Sequence, residues 1–155
     1  MFSFEPKKTP QVQSRIRRIV DLTVPNLTYE IERDRAEDRS SRVIPALLCP
    51  WKNDGPVVAQ HAFVLTRDFS SEGVGLVLKE PFHDRDVLLG FWLGAEIMDE
   101  PWYFLGKAQH LRQFGGGFWS LGLHLTEFAP SGSFPRCAAL WPLMEQLQAA
   151  EVVAS

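Results

Sequence analysis

Apolar and polar positions alternate differently in three parts of the chain. In QVQSRIRRIVDL, residues 11–22, Val12, Ile16, Ile19 and Val20 recur at helical spacing among Arg15, Arg17 and Arg18. This predicts a short amphipathic helix, with the first ten residues as a loose tail and Pro25 discouraging continuation. EIERDRAEDRSSR, residues 30–42, is almost wholly polar, with four arginines and five acids. From Val43 the texture changes to strand-length runs rich in Val, Leu, Phe, Trp and Tyr: VIPALLC, PVVAQHAFVLT, VGLVLKE, DVLLGFWLG, WYFLGKAQHLRQF and FWSLGLHLTEF. NDGP, SSEG, PFHDR, MDEP and GGG separate them, all of turn chemistry. Six strands with short turns predict a mainly β fold, an antiparallel sandwich or a small barrel, and closing the sheet would remove its exposed edges. ALWPLMEQLQAA, residues 139–150, places Leu140, Leu143, Met144 and Leu147 on one face of a C-terminal helix, with Pro142 tolerable in its first turn.

The domain organisation expected is a tail, short helix and polar linker over 1–37, a β domain over 38–129, and a C-terminal helix and tail over 130–155. With 155 residues, 45% hydrophobic and 23% charged, the chain has the composition of one globular domain. A formal net charge of −3 argues against a nucleic-acid polymer as partner but leaves room for a local basic patch. Cys49 and Cys137 belong to no CxxC pair and read as unreactive thiols in or near a core, in a reducing compartment. With no apolar leader after MFSFEPKKTPQ and no run long enough to span a bilayer, the expected location is cytoplasmic, without membrane insertion. Metal-ligand spacing, nucleophile elbows and phosphate loops are absent, so neither an enzyme nor a cofactor is expected.

Asp68-Phe69-Ser70-Ser71-Glu72-Gly73 stands out because it packs a carboxylate, hydroxyls and a glycine between two core-seeking runs. An ionised Asp68 is acceptor-only and suits the N1–H and N2–H₂ edge of guanine. Ser70 offers a hydroxyl beside it, Gly73 allows φ > 0 or close backbone approach, and Phe69 alternates into the core. Upstream, Arg35, Arg39 and Arg42 precede the first long strand. Arginine reads guanine O6 and N7 bidentately, stacks on bases and pairs with phosphate. An Asp turn and an arginine cluster at one barrel mouth would make a purine-phosphate clamp. On that reading Arg42→Ala or Asp68→Ala weakens the ligand and barely moves the melting temperature.

An arginine segment leading into a first strand, then Asp-x-Ser-x-x-Gly, then a closing strand such as FWSLGLHLTEF, resembles the PilZ domain over roughly residues 38–128. The resemblance implies a six-stranded antiparallel barrel and binding of the bacterial second messenger cyclic di-GMP, often as an intercalated dimer, with signalling to a protein partner. Asp68, Ser70 and Gly73 match the family turn. The arginine half departs: four residues before Arg42 stands Asp38, Arg39 and Arg42 give Arg-x-x-Arg, and the literal Arg-x-x-x-Arg is Arg35 with Arg39, three residues short of the strand. Either of those pairs, or a degenerate clamp, is open. The departure leaves as a rival a PilZ-like adaptor that binds no nucleotide and uses an apolar surface such as Phe91, Trp92, Trp102 and Tyr103. A small barrel of the oligonucleotide-binding type is a third reading, disfavoured by the acidic balance.

Overall fold

The structure, a computed structural model, describes residues 5–23, 40–94, 98–130 and 135–154. In chain order it contains α1 (Glu5–Asp21), β1 (Ser40–Ser41), β2 (Pro45–Lys52), β3 (Gly55–Pro56), a 3₁₀ turn at Val58–Gln60, and β4 (Ala62–Phe69). Then follow β5 (Gly73–Leu78), β6 (Asp86–Phe91), β7 (Trp102–Gly115), β8 (Phe118–Pro130), a 3₁₀ segment Pro135–Leu140, and α2 (Trp141–Ala154). The strands pair antiparallel in the order β4, β5, β8, β7, β6, β2, and β2 pairs back onto β4. The fold is therefore mainly β, a closed six-stranded antiparallel barrel with one helix at each end of the chain. β1 and β3 are two-residue additions to the ends of β4 and β2.

Strand chemistry explains which walls are covered. In β2, Ala46, Leu47, Leu48 and Cys49 are all buried, as are Val87, Leu88, Leu89 and Phe91 in β6. A continuous apolar run of this kind needs cover on both faces. The barrel interior supplies one side, and α2, packed on β2, covers the other. β4 instead alternates, with Val64 and Thr66 buried and Phe63 and Leu65 exposed. Turn chemistry acts as expected: Asn53 and Asp54 adopt left-handed φ of 55° and 61° between β2 and β3. Gly115, Gly116 and Gly117 take φ of 95°, 63° and 84° where β7 turns into β8.

The N-terminal helix is longer than its periodicity predicts. It starts at Glu5, not after a loose tail of ten residues, and carries Pro10 inside it. Pro10 has no N–H for the carbonyl of Pro6, but an ion pair at 3.4 Å between Lys8 Nζ and Glu127 Oε1 of β8 fastens this early turn. Val12, Ile16 and Ile19 are buried as a stripe, and α1 packs along β8. In α2, Pro142 occupies the first turn, Leu140, just ahead of it, Met144 and Leu147 are buried, and the helix runs on to Ala154.

The apolar surface expected at Phe91, Trp92, Trp102 and Tyr103 is not a surface. Phe91, Trp92 and Tyr103 are buried. Phe91 contacts Phe69 and Phe104, the rings lying 6.0 Å apart in each pair. Trp92 donates from Nε1 to the Met98 carbonyl at 3.0 Å and meets the Trp141 ring at 4.9 Å. Trp102 is half-buried, with the Arg15 guanidinium 4.9 Å above it. The flanking helices thus meet Trp92 and Trp102 through Trp141 and Arg15, while Phe91 is buried among barrel rings. Cys49 and Cys137 are buried free thiols, and burial pushes each up to about 11, which keeps them protonated and unreactive.

Candidate functional site

The Asp68–Gly73 turn joins β4 to β5 at the rim of the barrel. Its local geometry follows from a register shift. Thr66 lies opposite Leu76 and Asp68 opposite Gly75, so Arg67 is an extra residue on β4. Such a bulge re-aims the side chains that follow it. Asp68 and Phe69 are both buried after it. The Ser70 N–H donates to the Gly73 carbonyl at 3.0 Å and closes the turn. Gly73 is needed for close approach and not for a positive φ: a Cβ there would lie 2.9 Å from the Leu123 carbonyl oxygen and 3.0 Å from Ser70 Oγ.

β1 brings the segment that follows the arginines onto this turn. Ser41 pairs with Asp68 and Ser40 with Phe69. Arg35 and Arg39 lie outside the described residues. Arg42 is described, and it is only 9% exposed. Its Nε donates to the Val20 carbonyl at 3.2 Å and its Nη1 to the Ser41 carbonyl at 3.0 Å. Val20 is in the last turn of α1, so the guanidinium meets a carbonyl at the negative end of the helix. The Arg42 backbone is fixed as well: its N–H donates to the Arg67 carbonyl at 3.2 Å, and its carbonyl accepts from Thr66 Oγ1 at 2.6 Å. Asp68 has no exposed surface (0%), and Arg67 Nε lies 3.9 Å from its Oδ2. A buried carboxylate needs such charged or hydrogen-bonding company. Both Arg42 and Asp68 make further contacts beyond these. The structure thus brings Asp68, Ser70, Gly73 and the backbone of Arg42 to one rim, while the Arg42 side chain reaches the end of α1.

α1 forms one side of the site, a role the sequence does not announce. A cleft of about 560 Å³ lies between α1 and the turn, and it presents Ser14 and Arg17 from the helix, Ser40 from β1, and Ser70 and Ser71 from the turn. Asp21 stands at the same cleft. The turn is tied to the helix by Glu72, whose Oε2 accepts from Gln13 Nε2 at 2.9 Å. Its Oε1 lies 3.0 Å from His124 Nε2 on β8. The contacts with His124 first, and Gln13 second, hold the Glu72 carboxyl below its ordinary range. A smaller cleft of about 220 Å³, also lined by the turn, includes Gln109, His110 and His124. Glu72 occupies an unspecified position of the turn pattern, and Gln13, Ser14 and Arg17 sit in a helix whose apolar stripe dominates its reading. Their convergence depends on where α1 packs.

No family model matches the chain, and no curated protein matches it. Among solved structures the chain is similar to the Bacillus subtilis inhibitor of motility, MotI/DgrA, with 16% sequence identity and a TM-score of 0.46. The similarity covers 77% of this chain and 53% of that one, so this chain spans about half the length of that protein. None of the described helices is long and apolar enough to cross a membrane.

Proposed function

We propose that the protein is a non-enzymatic receptor that binds cyclic di-GMP at the Asp68–Gly73 rim and passes the change to a protein partner. The observation that carries this reading is the register of β1 on β4, with Ser41 opposite Asp68. That pairing sets the chain leaving Arg35 and Arg39 directly against a turn whose residues resemble those of the PilZ domain. The cleft beside the turn has the chemistry of a phosphate-bearing ligand: four serine hydroxyls and the Arg17 guanidinium. Arg39 and Ser70 are the residues assigned to ligand contact, with Arg35 as the alternative arginine. Asp68 and Arg42 support that reading by shaping the rim and holding α1 beside it.

A second reading is favoured by one observation: Asp68 is fully buried, and Arg42 is hydrogen-bonded to α1. On this reading the protein is a PilZ-like adaptor that recognises a partner without nucleotide. Isothermal titration calorimetry of the full chain with cyclic di-GMP, with GTP as control, separates the two. Saturable binding at micromolar concentration or tighter, absent for GTP, supports the receptor. Arg39→Ala should then weaken binding by about 1–3 kcal/mol, the worth of a bidentate arginine contact. Absence of both heat and thermal shift at high ligand overturns the receptor and leaves the adaptor.

A further inference from the structure

One wall of the barrel is left apolar and open. Phe63, Leu65 and Phe118 are 45%, 46% and 42% exposed. Leu65 pairs with Pro45 on one side and Val77 on the other, so the face is continuous across β2, β4 and β5. α2 flanks it through Gln146 and Leu147, and the resulting groove has a volume of about 500 Å³. An exposed apolar groove of this kind on a folded domain marks an interaction site. Its charge is one-sided: Lys79 lines the groove, is exposed, and makes no ion pair among the described residues. One of its rings is already held. His61 packs edge-on against Phe63 at 5.4 Å, and its Nδ1 lies 2.8 Å from the Val58 carbonyl. Such pre-ordering lowers the entropic cost of docking.

We propose that this groove docks an acidic amphipathic helix of a protein partner, with apolar residues on Phe63, Leu65 and Phe118 and a carboxylate against Lys79. Dimensions and charge both favour that occupant. Strands lie about 4.8 Å apart, so the face from β2 to β8 is about 14 Å wide. Apolar residues at i, i+4 and i+7 of a helix extend about 10 Å along its axis, so two turns lie within the face. A second copy of the chain fits less well. The apolar stripe of α1 (Val12, Ile16, Ile19) and that of α2 (Met144, Leu147) are buried on the barrel. Another copy would therefore bring the same groove with its own Lys79 against this one. The site is separate from the nucleotide rim and stands whether or not that rim binds a ligand.

The test is selection of a displayed library of helix-forming peptides against the full chain. The library fixes an apolar stripe at i, i+4 and i+7 and randomises charge at the flanking positions. Acidic peptides should be enriched on wild type and not on Leu65→Glu. For a selected peptide, synthesised and labelled, fluorescence anisotropy should show about a hundredfold loss with Leu65→Glu and at least about tenfold with Lys79→Glu. Reversing the peptide's acid to lysine should restore binding to Lys79→Glu. Both positions are exposed, so melting temperatures within a few degrees of wild type certify the variants. Failure of enrichment over Leu65→Glu, or binding indifferent to the charge at Lys79, overturns the proposal. So does sedimentation showing a dimer that Leu65→Glu dissociates, which assigns the groove to a second copy.

Discussion

Arg42→Ala is expected to loosen the attachment of α1, and the cost can be worked out bond by bond. The bonds of the side chain include one to the Val20 carbonyl and one to the Ser41 carbonyl. Bonds from a charged donor are worth about 1.5–3 kcal/mol each, and those between neutral groups about 0.5–1.5. The Val20 carbonyl keeps two other donors, the Thr23 N–H at 3.3 Å and Thr23 Oγ1 at 3.2 Å, so its loss falls at the low end. Adding the Ser41 bond gives about 3–4.5 kcal/mol from these two bonds, before any loss from the buried aliphatic stem. For a chain of this size that is a fall in melting temperature of roughly 6–18 °C. Differential scanning calorimetry reads the shift, and far-UV circular dichroism reads the loss of helix. Arg42→Lys should recover only part, because one ammonium cannot reproduce the two divergent donors. A shift under about 1 °C for Arg42→Ala would refute the anchoring role and restore the ligand-only expectation.

Gly73→Ala should destabilise by about 1–3 kcal/mol in urea denaturation, as overpacked positions do, because the new methyl meets a strand carbonyl that cannot rotate away. Removing Ser70 Oγ should not rescue it, and an alanine variant as stable as wild type would refute the close-approach role. Glu72→Gln should cost about 0.5–1 kcal/mol at neutral pH, the scale of a partly exposed pair. The Glu72 carboxyl is lowered from 4.5 by His124 and Gln13, so its contribution is complete above 4.5 and is lost as pH falls through the folded value. Urea melts of wild type and variant should therefore converge in acid, and a difference that persists there would point to packing instead.

The barrel strands were readable because their pattern is local: an apolar run, then turn residues, six times over. Asn53-Asp54 and the three glycines at Gly115 state their turns in their own backbone preferences. The amphipathic stripe of α1 was equally plain at Val12, Ile16 and Ile19. Its true start was not, because the turn before Pro10 is held by Glu127, more than a hundred residues away. The same limit applies to the site. Asp68, Ser70 and Gly73 form one short pattern and were found together. What the pattern could not reveal is that Asp68 is buried beneath its neighbours and that Arg42 reaches a helix carbonyl. Nor could it show that Phe91 packs among Phe69 and Phe104 and Trp92 against Trp141 of α2, while Phe63 and Leu65 face water. Those are facts about which wall receives cover, and they arise only when distant segments pack.

The bond from Arg42 to Val20 joins residues 22 positions apart and makes the chain between them a closed loop. The entropic cost of such a loop grows only logarithmically, by about 0.6 kcal/mol for each doubling of its length. Added length within it therefore costs little so long as the bond from Arg42 to Val20 is kept. The literal Arg-x-x-x-Arg pair, Arg35 and Arg39, falls inside this span, whereas Arg42 closes it. A length change in the segment that carries the candidate ligand arginines and a loss of the tie that closes it are thereby separable events, the first costing the fold little and the second loosening the end of α1.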